Sequence, residues 1–402
     1  MPRPTSRTLL MLAFLLLPSR AIPADLEKDP TLYMVAVSHL DTQWWWTIEK
    51  TINDYLPATF EDTFDQLDAF PGYTFSWEGA HRYMLLSEYH PQLAARLSSY
   101  VDAGRWRPAG SALEGGDVNV PSPESLVRQF LYGNGWFWQE LGVRSEDVFL
   151  PDCFGFGWAL PSVAAHCRLR GFSTQKLDWG TPGGAPFPLG VWEGPDRGSV
   201  VAALDPGAYV STLEGDLAAS QDIQAAVETQ EQLSGLQVAY RYFGTGDQGG
   251  AVPWESLEVL MEAADAGGPL RVLSAASDQL FRDLTPAQVE ALPRHAGELL
   301  LTTHGTGAYS SQAAMKRWNR KNELLGDAAE RAAAAAAWLA GLPYPEAELR
   351  DAWMRFLVHQ FHDDLTGTGI PEIYTYSWNS ELLALKRFAG ILTRSVAGVS
   401  RA

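Results

Sequence analysis

A chain of 402 residues, 46% hydrophobic and 19% charged, is globular and long enough for two or three domains around sizeable cores. Its formal net charge of −18, from 30 basic and 48 acidic side chains, argues against a nucleic-acid or anionic-membrane surface, because phosphate binding needs clustered Lys and Arg. A neutral or cationic ligand fits better, and 15 Trp, 14 Tyr and 17 Phe offer aromatic faces that suit sugar rings, although most such residues fill cores.

In chain order, Arg3 and Arg7 precede an apolar run from Leu9 to Leu17, and the small residues Ala21 and Ala24 follow. Residues 1–24 read as a secretory signal peptide whose apolar run is too short to span a bilayer, with an uncleaved anchor as the alternative. The expectation is an exported protein that keeps no membrane contact after cleavage. Strands are predicted over residues 33–37, 74–77, 148–150, 172–176, 200–204, 238–243 and 271–273, with helices over 91–103, 124–141 and 255–264 between them. Alternation of this kind implies parallel strands with right-handed crossovers, covered on both faces. Residues 25–296 are therefore expected to form an α/β barrel or an open sheet.

The composition changes near Gly297. Residues 311–342 are Ala-rich and helix-forming up to Gly341 and Pro343, and further helices are predicted over 345–361 and 378–396. Residues 297–402 should pack as a small three-helix bundle domain. Cys153 and Cys167 flank a helical run, and either one disulfide or two buried free thiols would suit them.

Several His and Asp residues each end a hydrophobic run, which is how a barrel assembles one site from distant strands. His39 and Asp41 follow VAVS and lie two apart, so an extended backbone points both side chains the same way. Taken alone, such a pair is more often a structural or capping pair than half of a zinc site. Asp152 follows DVFLP and precedes a Gly and aromatic turn, where a ligand, a nucleophile or a helix cap is possible. Asp247 stands among Gly244, Gly246, Gly249 and Gly250, which let backbone approach a ligand or simply make a turn. His359 and His362 share a helical face; His359 reads as a satisfied core histidine and His362 as a ligand, with Asp363 or Asp364 orienting it.

These segments carry a family resemblance. HLDTQWWWT resembles the H-x-D-x-x-W-x-x-T opening of the α-mannosidases of glycoside hydrolase family 38, and PDCFGFGWALP with QKLDW is similar to its nucleophile segment. DVNVPSPESLVRQ, FGTGDQGG and QFHDDLTGTG resemble three further family elements in the family's order. GELLLTTHGTGAYSSQAAMKRWNRKNE resembles the entry into the middle helical domain, although HGTGAYSSQ departs from H-R-G-x-Y-T-S in spacing and lacks its Arg. The resemblance implies an irregular β/α barrel catalytic domain and a metal-dependent retaining α-mannosidase acting on terminal α-mannosidic bonds of oligosaccharides or glycans. It also implies one divalent metal ion, commonly zinc. Carried over by motif position, His39, Asp41, Asp152 and His362 would bind the ion. Asp152 would be the nucleophile and Asp247 the general acid/base, with Trp44 and Asp363 touching the sugar. Family members continue into C-terminal β-sandwich domains, which this sequence, stopping at Ala402, is expected to lack. A metal-dependent carbohydrate deacetylase and an inactive mannoside-binding remnant are the alternatives.

Overall fold

The computed structural model describes residues 25–402, so the expected signal peptide lies outside the described residues. Strand β1 (Thr31–Ser38, TLYMVAVS) is buried along its whole length, as a strand covered on both faces must be. Strand β8 (Val238–Thr245) pairs with it in parallel from end to end. The other edge of β1 is divided: β9 (Arg271–Ser274) takes Thr31 to Met34, and β2 (Phe75–Glu78) takes Ala36. Strand β3 (Trp106–Ala109) completes this sheet beside β2.

The second sheet runs β10 (Arg294–Ala296), β6 (Leu189–Glu193), β7 (Ser199–Ala203), β5 (Gly171–Ser173) and β4 (Asp147–Phe149). Its one antiparallel pair, β6 with β7, departs from the all-parallel expectation. The cause is local: Gly194-Pro195-Asp196-Arg197-Gly198 is a turn sequence, and the Gly194 amide donates to the Gly198 carbonyl at 2.8 Å.

Alternation along the strands sorts the core. Tyr33, Val35 and Val37 of β1 share one cluster with Tyr240 and Tyr242 of β8 and with Leu189, Val191, Val201 and Ala203 of the second sheet. Leu32, Met34 and Ala36 point the other way, onto Phe60 and Phe64 of the helix Leu56–Ala69. Phe172, Trp192 and Ala202 likewise meet Leu160 and Ala164 of the helix Ala159–His166. Two sheets thus curve around one shared interior with helices outside, an irregular β/α barrel.

Three helices follow, Ala313–Ala340, Glu346–Leu357 and Ile373–Val399, close to the expected spans. The first ends at Gly341, whose φ of +67° suits glycine. Within it Gly326 lets the helices close up, since a Cβ there would stand 2.8 Å from the Trp353 ring. Arg128, on the helix Pro123–Leu141, ties this unit to the barrel: it pairs with Glu330 at 2.7 Å, and its guanidinium lies 3.9 Å from the centre of the Trp353 ring. Among the described residues no helix is long and apolar enough to cross a membrane. Of the two cysteine alternatives, the structure has free thiols, with Cys153 buried and Cys167 half-buried.

Candidate active site

His39 and Asp41 leave the C-terminal end of β1, and Asp152 follows β4. His362 comes from far along the chain, just after the helical turn Val358–Gln360. All four converge, with one donor atom from each lying within 4.8 Å of the others. His39 Nε2 stands 2.9 Å from Asp41 Oδ1 and 3.9 Å from Asp152 Oδ2. His362 Nε2 stands 3.1 Å and 3.5 Å from the same two oxygens. A tetrahedron with metal–ligand bonds of about 2.1 Å has edges of about 3.4 Å, which these four separations bracket. Two imidazoles and two carboxylates also suit a borderline divalent ion.

The electrostatics of the cluster favour a cation at its centre. Burial opposes the imidazolium of His39, but Asp41 and Glu78 outweigh it and raise the group to about 10. Burial likewise opposes ionisation of Asp152, yet the His362 hydrogen bond and the charges of Lys176 and His39 hold it well below the usual carboxylate range.

Each imidazole is oriented through its far nitrogen. His39 Nδ1 meets Glu78 Oε1 at 2.6 Å, and His362 Nδ1 donates to the Gly115 carbonyl at 2.7 Å. Such partners orient each ring with Nε2 toward the centre, where it would ligate once neutral. The expectation that Asp363 or Asp364 orients His362 is corrected here. Asp364 instead takes His359 Nδ1 at 2.6 Å and the Gln43 amide at 2.7 Å, while Asp363 Oδ2 stays 3.8 Å from His362 Nε2.

Behind the donors lies a buried ion pair, Arg82 Nη1 to Glu114 Oε1 at 2.7 Å with both side chains fully enclosed. The Arg82 guanidinium also donates from Nε to the Leu40 carbonyl at 3.0 Å, clamping the bend between His39 and Asp41. Glu114 accepts from Thr42 Oγ1 and from the Gly115 amide, each at 2.9 Å, so the same pair fixes the loop that orients His362.

Asp152 has a second partner, the Lys176 ammonium, which pairs with Oδ1 while Oδ2 faces the histidines. Lys176 was expected inside a strand; β5 stops at Ser173 and Lys176 opens a helical turn, Lys176–Trp179, that reaches over the site. Asp247 has a φ of +64°, and its carbonyl accepts from the Asp41 amide at 2.8 Å, so its loop is laced to the loop that carries His39 and Asp41. Its carboxylate accepts from Tyr209 Oη at 3.0 Å, and the Tyr209 ring lies 5.3 Å from that of His39. Trp44 is half-buried and packs against the barrel core, with its carbonyl accepting from the Ile370 amide at 2.9 Å. Asp363 is buried and accepts from Thr368 Oγ1.

Sequence reasoning passed over Glu78, Arg82, Glu114, Lys176 and Tyr209. Glu78 carried a usable signal, since it ends the buried strand FSWE much as His39 follows TLYMVAVS.

The N-terminal domain model of glycosyl hydrolases family 38 matches residues 29–298, and the α-mannosidase middle domain model matches residues 303–396. Alpha-mannosidase G of Dictyostelium discoideum is 30% identical over 371 residues, covering 92% of this chain and 33% of its own length. Human alpha-mannosidase 2C1 is 30% identical over 348 residues, covering 86% and 33%. The chain thus spans about a third of the length of the curated relatives it matches. Among solved structures, an α-mannosidase from Enterococcus faecalis V583 shares the fold with a TM-score of 0.78 at 19% identity, over 93% of this chain and 43% of that one.

Proposed function

The chain belongs to glycoside hydrolase family 38, and from that premise we propose that it is a metal-dependent retaining α-mannosidase acting on terminal α-mannosidic bonds of oligosaccharides or glycans. The observation that carries this reading is the convergence of His39, Asp41, Asp152 and His362 within 4.8 Å. These four would hold one divalent ion, zinc by donor type, which when bound supplies Lewis acidity and a handle for sugar hydroxyls. The match to the family model does not favour a carbohydrate deacetylase.

The chain's own groups divide the remaining work. Lys176, held against Oδ1, keeps Asp152 anionic and aimed. Asp152 attacks the anomeric carbon to form a glycosyl ester while the C–O bond to the leaving sugar breaks. Asp247 Oδ2 supplies the proton to that departing oxygen, since Oδ1 is engaged by Tyr209. Water then attacks the ester from the side the leaving group vacated, returning a proton to Asp247 and freeing Asp152 with net retention. Trp44 and Asp363 border the sugar in this reading. The basic and apolar N-terminal segment supports an exported protein.

The test is hydrolysis of an aryl α-mannoside, abolished by a chelator and restored by zinc, with α-mannose as the first product in a proton NMR time course. Full turnover by Asp152→Asn would refute the assignment. Binding of mannose without turnover in the zinc-loaded chain would instead leave a carbohydrate-binding protein.

A further inference from the structure

The segment HGTGAYSSQ, which departs from its relatives' pattern, has no role so far, and it packs beside the site. His304 lies edge-on to Trp179, with ring centroids 4.7 Å apart at 67°, and edge-on to Phe154 at 5.7 Å. Phe154 in turn meets the His362 ring at 6.0 Å. An aromatic file therefore runs outward from the centre, from His362 through Phe154 and His304 to Trp179. Exposure rises along it, from 1% at His362 and 7% at Phe154 to 48% at Trp179.

The outer end of the file is built into the fold. Thr302 donates both its amide and its hydroxyl to the Gly180 carbonyl, at 3.0 Å and 2.9 Å, and Thr303 Oγ1 donates to the Trp179 carbonyl at 3.2 Å. Gly180 has a φ of +134°, and a Cβ there would run into Thr303 Oγ1, so the two loops close only over glycine. The Lys176 ammonium sits 4.3 Å from the Trp179 ring while also holding Asp152. One group thus covers part of the indole and steadies the nucleophile, while Trp179 as a residue stays nearly half exposed. Among the described residues the nitrogens of His304 make no hydrogen bond, which leaves them for a ligand hydroxyl.

We propose that Trp179 and His304 form a subsite for the leaving-group sugar, so that the site takes a glycan by two consecutive rings rather than by the terminal mannose alone. This rests on the mannosidase reading and deepens it. The mannosyl ring must reach Asp152 among enclosed groups, and the next ring outward then lies at the rim, where Trp179 offers an apolar face and His304 a hydrogen bond.

The test is calorimetric titration of the zinc-loaded chain with methyl α-mannoside and with a panel of sulfur-linked α-mannobioses, which resist hydrolysis. The wild-type protein is expected to bind the best disaccharide about tenfold more tightly than the monosaccharide, which is the scale of one well-made aromatic contact. Trp179→Ala should bring that ratio to within about twofold with monosaccharide binding kept, and Trp179→Phe should retain most of it. Equal losses for both sugars in Trp179→Ala, or an unchanged ratio, would overturn the subsite. A wild-type protein that binds the monosaccharide and gains nothing from the second ring would sink the subsite alone. One that binds neither sugar would sink the mannosidase reading with it.

Discussion

Arg82 and Glu114 offer the sharpest test of how the donors are held. Both side chains are fully enclosed and meet at 2.7 Å, so removing one leaves the other as an uncompensated buried charge, at a cost of about 3–5 kcal/mol. The two halves are not equivalent. Arg82→Met leaves Glu114 with Thr42, His81 and the Gly115 amide, which places it at the lower end. Glu114→Gln strips the guanidinium of its paired carboxylate and leaves it a neutral amide oxygen and backbone carbonyls, Leu40 above all, which places it at the upper end. With a denaturant slope of about 3 kcal/mol per molar urea, each midpoint should fall by about 1 M or more. The double variant Arg82→Met/Glu114→Gln buries no lone charge and should be less destabilised than the sum of its parents. Urea titration followed by circular dichroism reads all four proteins. Additive losses, or single variants within about 0.5 kcal/mol of wild type, would show that the pair is not coupled as the geometry requires.

Three further outcomes follow from the same region and from the barrel interior. Glu78→Gln should lower metal affinity about 10- to 100-fold with the fold intact, because His39 loses the carboxylate that fixes its tautomer; competition against a chromophoric chelator measures it. Gly116→Ala would set a Cβ 2.7 Å from the Gln360 carbonyl, so it should shift the turn before His362 and speed metal loss into excess chelator, whereas a wild-type rate would contradict the close packing. Burial, then the nearby Asp278, raises Asp147 from 3.8 to about 6. Between those values the folded chain keeps a proton that the unfolded chain has lost, so this group costs stability as pH rises through that window. Relative to wild type, Asp147→Asn should therefore gain stability from pH 4 to pH 7, and a parallel pair of pH profiles would refute the effect.

The sequence exposed the donors because each ends a hydrophobic run, and such placement survives in one dimension. His39, Asp41, Asp152 and His362 could be singled out on that ground, and they do converge. The groups that hold them could not, since their meaning lies in partners distant along the chain: 39 positions separate His39 from Glu78, and 24 separate Asp152 from Lys176. Fold elements were missed for a different reason. WRPA of β3 carries a proline, LGVWE of β6 lacks clear alternation, and RHA of β10 has only three residues, so local patterning was too thin to mark them as strands. The long helix Ala313–Ala340 was legible because an Ala-rich run bounded by glycine and proline needs no tertiary help to be recognised.

The bond between Asp41 and His362 spans 321 positions. A ribosome must therefore add 321 residues after Asp41 before the fourth donor exists, and a nascent chain stopped anywhere short of His362 holds at most three. Closing so long a loop is entropically demanding, so the four-donor centre is completed late. An ion held by all four donors would then act as a latch across that separation.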